Sequence, residues 1–228
     1  MEELWSGFVK AIGLIVSLDA EVVEITRRTL MIAASSCSIA SAISVPLGSL
    51  IHFNQFRGKR PLISVIQTLY SVPTVVVGLF VFLVFSSRGL LGELNLLFSP
   101  FVMIVGQVIL ITPLILGLII SALSGMDKAV AETAISLGAT RFQMVILALR
   151  EAKFSVLAAV IMGFGRAFSE VGLALMVGGN IRGFTRTLTT TISLETSKGD
   201  VELSLALGMI LLLIALAINV TLNRLQQR

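Results

Sequence analysis

Arg166 and Glu170 are the charged side chains of this sequence best placed to do chemistry, because they interrupt an otherwise apolar stretch. No other charged residue occurs between Phe154 and Val177. A spacing of four places two residues on one helix face, where they can form an ion pair. Charges within a membrane span usually face the bundle interior or a water-filled path. With Ser169, they are candidates for such a path or its gate. A structural ion pair and direct contact with a passing anion both remain open.

A polar segment, 127–150, separates two long apolar stretches. Lys128, Glu132 and Ser136 recur every four residues and predict one polar helix face. Gly138 can adopt a left-handed backbone and therefore favours a helix end. The apolar residues of the first helix lie on its opposite face: Val130, Ala134 and Leu137. A second helical pattern follows the glycine: Phe142, Val145, Ile146 and Leu149. Small side chains would let another protein approach this pair of helices closely: Ala131, Ala134 and Ala139.

A third group of polar residues lies in the predicted loop 178–200, which is rich in threonine and glycine. Arginine side chains and threonine hydroxyls can donate hydrogen bonds to an anion or to the surface of another protein. A solvated loop without either role is the alternative. The candidate residues of this loop are Asn180, Arg182, Thr185, Arg186 and Thr187.

The remaining reactive residue types do not predict catalysis. Cys37 and His52 are the single cysteine and the single histidine, and neither has ligand partners at metal-binding spacing. The only Gly-Lys pair, Gly58-Lys59, is followed by Arg60, so the sequence has no phosphate-cradling loop of the Gly-x-x-x-x-Gly-Lys-Ser/Thr type. We therefore expect no catalytic residue, no bound metal and no bound cofactor in this chain.

The composition indicates that a lipid bilayer is the solvent. Of the 228 residues, 56% are hydrophobic and 13% are charged, and the mean hydropathy is +0.99, whereas soluble domains have about 25% charged residues. A span requires about 20 apolar residues. Basic residues in such a protein set its topology and meet lipid headgroups, so nucleic acid is a poor inference. The predicted fold is all-α, with about five transmembrane helices: 29–53, 62–85, 100–125, 154–178 and 202–223.

Two further features complete the predicted organisation. Ser71 and Thr74 flank Pro73 within the second span, where a proline bend could either line a pathway or serve packing. Residues 1–25 are predicted as a separate N-terminal amphipathic helix on the membrane surface, and 26–222 as the domain that contains the spans. Apolar residues at helical spacing support the amphipathic helix: Trp5, Phe8, Ile12, Ile15 and Val16.

The segment Glu132-Thr133-Ala134, followed after three residues by Gly138-Ala139, resembles the EAA motif of ABC-importer permeases. In that family the motif forms a coupling helix that docks on the ATP-hydrolysing subunit. The resemblance assigns coupling to the eight residues Ala131, Glu132, Thr133, Ala134, Gly138, Ala139, Arg141 and Phe142. The family has a Leu-Pro pair where this chain has Arg150 and Glu151. The usual turn into the next span is therefore not expected here.

Two other segments are similar to importers of sulfate, molybdate and tungstate. The stretch around Arg166 and Glu170 resembles their Arg-Ala-Leu-Gly-Glu-Phe-Gly segment, and 180–189 resembles Asn-Ile-Pro-Gly-x-Thr-x-Thr-Leu. The tungstate branch is the most similar. The resemblance implies a type I ABC-importer permease fold and alternating-access import of an oxyanion across the cytoplasmic membrane. It also implies a homodimer, two ABC ATPase subunits that bind ATP and Mg²⁺, and an extracytoplasmic oxyanion-binding protein.

Other functions stay open at this point. Molybdate or sulfate is the alternative cargo within the same group of importers. An ATP-independent, ion-coupled transporter is the alternative from another class, but it would need an acidic proton or sodium relay. Glu170 is the only carboxylate in the interior of the predicted spans, since Glu202 stands at the first position of the last one, and Arg166 is close to Glu170 in the sequence. A membrane enzyme is the weakest alternative, because no His, Asp and Cys residues cluster.

Overall fold

The chain folds into helices. A computed structural model describes residues 2–125 and 128–226, and every regular element in these two ranges is helical. The α-helices are α1 (Glu2–Val16), α2 (Ala20–Phe53), α3 (Lys59–Thr68), α4 (Thr74–Phe85), α5 (Pro100–Ser124), α6 (Lys128–Ser136), α7 (Arg141–Glu151), α8 (Lys153–Phe168), α9 (Gly172–Gly178), α10 (Leu188–Lys198) and α11 (Val201–Gln226). Single 3₁₀ turns occupy Leu69–Ser71 and Gly92–Leu94. The prediction of an all-α fold is confirmed.

Several of these helices are suited to a membrane. Within the described residues, three stretches are long and apolar enough to cross one: Ala20–Phe53, Pro100–Ser124 and Val201–Val220. Two more apolar stretches consist of helix pairs, bent by 95° before α4 and by 58° between α8 and α9. Counting each bent pair as one span gives up to five. The predicted spans 62–85 and 154–178 are therefore broken helices: the bend beside Pro73 was predicted from the sequence, whereas the break after Phe168 was not.

Proline explains the first break. A residue before proline avoids the helical region, and Val72 is extended, with φ −63° and ψ 128°. Pro73 then precedes the first residue of α4, where its missing N–H leaves no helical hydrogen bond unmade. Pro46 and Pro113, in contrast, lie inside the continuous helices α2 and α5.

Helix α2 begins earlier than predicted, at Ala20 rather than residue 29. The side chain of Asp19 accepts a hydrogen bond from the backbone N–H of Val22, which caps the helix at this point. The 34 residues of α2 make a helix about 51 Å long, longer than the roughly 30 Å hydrocarbon core of a bilayer. The helix therefore extends beyond one face of a bilayer at least, and residues 20–25 belong to it rather than to the N-terminal helix.

Helix α1 packs on α11 through its small and polar face. A Cβ atom on Gly7 would lie 2.8 Å from the Cβ of Leu205, so the two helices approach closely there. Lys10 forms an ion pair with Asp200 at 3.7 Å, and Ala11 is buried. The apolar face predicted from the sequence is exposed: Trp5, Phe8, Ile12, Ile15 and Val16. Its contact with a membrane surface remains a prediction.

The chain divides into two compact units. The first comprises Met1–Ser36, Pro73–Gln107 and Gly165–Arg228, and the second comprises Cys37–Val72 and Val108–Phe164. The first has one core around Met103, Leu173 and Val177, and another around Leu188 and Leu207. The second is packed around Ile66, Leu116 and Ile120. The Arg166, Glu170 and loop candidates belong to the first unit, and the coupling residues belong to the second.

Candidate translocation and coupling sites

The break between α8 and α9 is built around Glu170. Its side chain is buried, with 5% of the residue exposed, and its Oε1 accepts a hydrogen bond from the backbone N–H of Leu173 at 2.9 Å. This bond satisfies one of the free amides at the start of α9. The backbone carbonyl of Glu170 accepts a second bond, from the hydroxyl of Thr189 at 2.8 Å. Glu170 therefore joins the bent span to α10.

Arg166 and Glu170 do not form the predicted ion pair. Helix α8 ends at Phe168, so the two residues do not share one continuous helix face. Arg166 is exposed while Glu170 is buried, and no ion pair joins them. Ser169, between them, is exposed and donates to the carbonyl of Gly165 at 2.9 Å. In this unit Arg166 therefore presents a charge that Glu170 does not compensate.

Close packing of α4 against α9 fixes the position of this break. A Cβ atom on Gly172 would lie 2.9 Å from the Cγ2 of Val75 and 3.1 Å from the Oγ1 of Thr74. A Cβ on Gly78 would lie 3.1 Å from the Cα of Leu173. The two helices thus start side by side, and Thr74 lies at that start. Ser71 belongs to the other unit, where it ends the 3₁₀ turn before Pro73 and is exposed.

Gln107 is a buried polar residue near this region that the sequence analysis missed. Gln107 is 4% exposed, and its side-chain Nε2 donates to the backbone carbonyl of Ala167 at 3.2 Å. Its Oε1 has no hydrogen-bond partner among the described residues. The signal for it was present in the sequence, since Gln107 is the only amide side chain within the apolar helix α5. It supports the last turn of α8, beside Arg166.

The loop candidates mostly serve the loop itself. Thr185 is fully buried, donates to the carbonyl of Gly178 at 2.5 Å and accepts from the amide of Ile181 at 2.9 Å. Thr187 caps α10 in a reciprocal capping box with Thr190. Asn180 has a left-handed backbone, with φ 50°, and its side chain donates to the carbonyl of Thr190. Thr185 therefore holds the loop to the end of α9, whereas Asn180 and Thr187 connect it to α10. Thr185 and Thr187 are buried, and Asn180 is half-buried.

Part of the predicted loop 178–200 is in fact helical, since α10 occupies Leu188–Lys198. Threonine has a low intrinsic helix propensity, which is why the composition predicted a loop. The capping box at its start and the full burial of Leu188 against the core of the first unit favour the helix instead. Tertiary packing has overridden local propensity here.

Arg182 and Arg186 both contact Glu21 at the start of α2. Arg182 donates from Nε and Nη2 to the two carboxylate oxygens, at 3.0 and 2.5 Å, and Arg186 approaches Oε1 at 3.5 Å. The hydrogen bonds and negative charge of Glu21 raise the pKa of Arg182 above its ordinary value. Arg28 donates to the backbone carbonyl of Arg186 at 3.1 Å. This network attaches the loop to α2.

The coupling segment has the glycine-centred turn that the sequence predicted. Gly138 has a φ of +78°. Its backbone amide donates to the carbonyl of Ile135 at 2.9 Å, and the amide of Ala139 donates to the carbonyl of Ala134 at 3.0 Å. These two bonds form the pattern of a Schellman motif. Thr140 then begins α7 with a capping box to Gln143. Gly138 thus ends one short helix and the next begins almost at once.

The surface of this turn exposes large apolar side chains. Leu137, predicted to lie on the inner face of α6, is 83% exposed because it follows the end of the helix, and Phe142 is 73% exposed. Ala134 is buried, and Glu132 and Thr133 are exposed. Arg141 donates to Asn54 at 3.3 Å and so ties α7 to the end of α2. Asp127, at the start of the predicted segment, and the side chain of Ala131 lie outside the described residues.

A shallow groove adjoins these exposed side chains. Its volume is about 360 Å³, and it is lined by Ala129, Val130, Thr133, Ala134, Leu137 and Leu147. Apolar lining beside exposed leucine and phenylalanine is typical of a surface that another protein covers. Within 2–125 and 128–226, no three His, Cys, Asp or Glu side chains are grouped so that they could hold a metal ion.

Residues 44–228 match the model of the family described as binding-protein-dependent transport system inner membrane component. The chain belongs to this family. Both bent helix pairs and the whole coupling segment fall inside the matched range, whereas α1 and the first part of α2 lie outside it. A member of an inner membrane component family with several apolar helices is a membrane protein, as the composition predicted.

Relatives of this inner membrane component are similar along most of their length. The tungstate uptake system permease protein TupB of Peptoclostridium acidaminophilum is 40% identical over 227 residues, covering 100% of each chain. TupB of Campylobacter jejuni is 36% identical, covering 100% of this chain and 95% of the relative. A probable anion ABC transporter permease protein of Haloferax volcanii is 39% identical, covering 90% of this chain and 91% of the relative.

Solved structures of ABC importers share the fold. A bacterial alginate ABC transporter, in complex with an alginate pentasaccharide-bound periplasmic protein, has a TM-score of 0.78 at 18% identity, covering 100% of this chain and 87% of that chain. A second structure of an alginate importer has a TM-score of 0.76 at 18% identity, covering 94% and 82%. The predicted ABC-importer permease fold is confirmed.

Proposed function

We propose that this chain is the permease subunit of an ATP-driven importer that carries an oxyanion, tungstate in preference to molybdate or sulfate, across the cytoplasmic membrane. The observation that carries the proposal is its 40% identity to a tungstate uptake permease along the full length of both proteins. Sulfate permeases are more distant, with 30% identity over 80% of this chain for that of Synechococcus elongatus.

The energy for import comes from a separate ATPase in this proposal. The exposed turn around Gly138, with Leu137, Phe142 and the adjacent apolar groove, is the surface on which that subunit docks. Burying an exposed leucine typically contributes about 1.5–3 kcal/mol, enough to matter in a protein interface. Two copies of the permease would pair with two ATPase subunits, which bind ATP and Mg²⁺. An extracytoplasmic binding protein would deliver the anion.

The translocation path is proposed to pass Arg166. Its exposed guanidinium is not compensated by Glu170, so it offers the positive charge that a passing oxyanion requires. Ser169 adds an exposed hydroxyl beside it. Ser71 and Thr74 flank the sharp bend before α4, where a span changes direction and backbone polar groups need a polar neighbour or water. Rigid-body rocking of the packed helices would open this path alternately to each side.

Transport by the reconstituted complex tests the proposed cargo. Permease, ATPase and binding protein would be placed in liposomes, and ATP-dependent uptake of labelled tungstate would be measured with excess unlabelled tungstate, molybdate or sulfate. We expect unlabelled tungstate to compete best. Stronger competition by sulfate or molybdate would reassign the cargo, and uptake in liposomes that lack the ATPase would exclude an ATP-driven importer.

Docking of the ATPase is tested separately, by Leu137→Asp. Introducing a charge into the proposed interface should abolish copurification of the ATPase with the permease. Leu90→Asp is the matched control, because Leu90 is a loop leucine that is 92% exposed and lies far from the coupling segment in the sequence. Copurification that survives Leu137→Asp, or is lost equally with Leu90→Asp, would contradict docking at this turn.

A further inference from the structure

An apolar groove in the first unit has no role in the proposed transport cycle. It has a volume of about 620 Å³ and runs between the first part of α2 and the middle of α11. The walls are formed mainly by Val22, Val23, Leu30, Leu213, Ile214 and Ala217. The end of α1 and the turn after it close one end through Leu14, Ile15 and Leu18.

Of the described side chains that line this groove, that of Arg27 is the one with a charge. Arg27 is exposed and has no ion-pair partner among the residues that the structure describes. Its neighbour Arg28 has the opposite environment, since it is 9% exposed, pairs with Glu24 and donates to the carbonyl of Arg186. One turn of α2 therefore directs one arginine into the protein and leaves the other beside the groove. Among the residues that the structure describes, no carboxylate lines the groove to compensate Arg27.

The chemistry of this groove matches an anionic phospholipid. The membrane family and the apolar helices place α2 and α11 in a bilayer, where the molecules available to fill an open apolar groove are lipids. Most of α11 is uncovered, with 22% of its apolar window buried, so a lipid chain can reach the groove from the side. Arginine beside an apolar groove favours a headgroup with net negative charge, because a zwitterionic headgroup brings its own cation to the phosphate.

We propose that the groove between α2 and α11 binds one anionic phospholipid, with an acyl chain along the apolar walls and the phosphate on Arg27. The lipid fastens the outer surface of α2 to α11, on the side that faces away from Arg28 and the loop. This lipid site requires only that the chain lies in a membrane. The proposal therefore does not depend on which anion the permease carries.

Native mass spectrometry of the purified permease–ATPase complex tests this site. The complex would be incubated in detergent with equal amounts of phosphatidylglycerol and phosphatidylcholine, and the lipids retained per permease would be counted. We expect phosphatidylglycerol to be retained preferentially. Arg27→Gln should reduce that preference about fivefold, the effect of one basic residue on binding to anionic lipid, and Arg27→Lys should preserve most of it. Arg88→Gln, at an exposed loop arginine, is the matched control and should have no effect.

A second pair of variants tests the apolar walls independently of charge. Ala217→Trp would fill the groove, whereas Leu216→Trp would add the same ring to an exposed position of α11 that does not line it. Retention of phosphatidylglycerol should fall in Ala217→Trp but not in Leu216→Trp. Equal retention of both lipids by the wild type, or unchanged retention in Arg27→Gln, overturns the site. Displacement of the lipid by tungstate also overturns the lipid site. So does unchanged lipid retention in Ala217→Trp, which is expected if a second permease copy covers the groove.

Discussion

The carboxylate of Glu170 accepts a hydrogen bond from the backbone N–H of Leu173, 2.9 Å away, inside the first unit of the chain. This contact lies where the apolar stretch 154–178 stops being a continuous helix. A side chain that caps a new helix competes with the backbone carbonyl that would have continued the old one. The same contact leaves Arg166, one turn earlier, without the partner that its spacing suggested.

The first prediction concerns the acceptor on Glu170. Glu170→Ala leaves the buried amide of Leu173 unpaired, which should reduce the free energy of unfolding by about 1–3 kcal/mol. Glu170→Gln keeps an oxygen acceptor at the same position and should stay close to the wild type. Thermal unfolding of the detergent-solubilised complex and ATP-driven uptake would both be measured. If Glu170→Gln is as defective as Glu170→Ala, the negative charge is required and the cap is not the reason.

The second prediction concerns Arg166. Arg166→Ala should abolish uptake while the permease still assembles with its ATPase, because the exposed guanidinium is proposed to meet the anion directly. Arg166→Lys keeps the charge and should restore part of the uptake. Arg88→Ala, which removes an exposed arginine from a loop, should transport normally. Normal uptake by a well-assembled Arg166→Ala protein would exclude Arg166 from the path.

The sequence was sufficient for the features that depend on local chemistry. Apolar stretches without charge predicted the regions of the spans, because burying an unpaired charge in lipid is costly. Gly138 predicted the end of α6, because glycine adopts a left-handed backbone without a steric penalty. Pro73 predicted a bend, and the structure breaks the helix at this point.

The features that the sequence did not reveal depend on distant contacts. An i, i+4 rule for Arg166 and Glu170 holds only on a continuous helix, and the contact from Glu170 to Leu173 interrupts it. Glu21 is the partner of Arg182, although 161 positions separate them in the chain. No spacing rule relates residues so far apart. The loop arginines were therefore interpreted as free donors when they are tied to α2.

The third prediction tests the close packing of α4 on α9. Gly78→Val would place side-chain atoms against the backbone of Leu173, since even a Cβ at this position would lie 3.1 Å from its Cα. Backbone cannot rotate away as a side chain can, so we expect a loss of about 1–3 kcal/mol from overpacking. Gly208→Val is the control, because no atom lies within 4 Å of the corresponding Cβ position on α11. Equal melting temperatures for the two variants would show that α4 can move without cost.

The fourth prediction separates backbone strain from contact at the coupling turn. A Cβ atom on Gly138 would meet no atom within 4 Å, so substitution there acts through its φ of +78° alone. Gly138→Ala should cost about 1–2 kcal/mol and loosen the turn that presents Leu137 and Phe142. Because the ATPase would then dock on a less ordered surface, we expect ATP hydrolysis stimulated by the loaded binding protein to fall. The melting temperature of the membrane helices should change little.

Asparagine and a second glycine supply the controls for this experiment. Gly138→Asn should retain more coupling than Gly138→Ala, because asparagine tolerates a left-handed backbone better than alanine. Gly125, directly after α5, has a φ outside the left-handed range, and a Cβ there would lie at an ordinary contact distance of 3.6 Å from the carbonyl oxygen of Ala122, so Gly125→Ala should have little effect. If alanine and asparagine at position 138 reduce coupling equally, the glycine is required for close approach of the ATPase itself. In that case the partner touches the backbone of the turn, and the conformation of Gly138 is secondary.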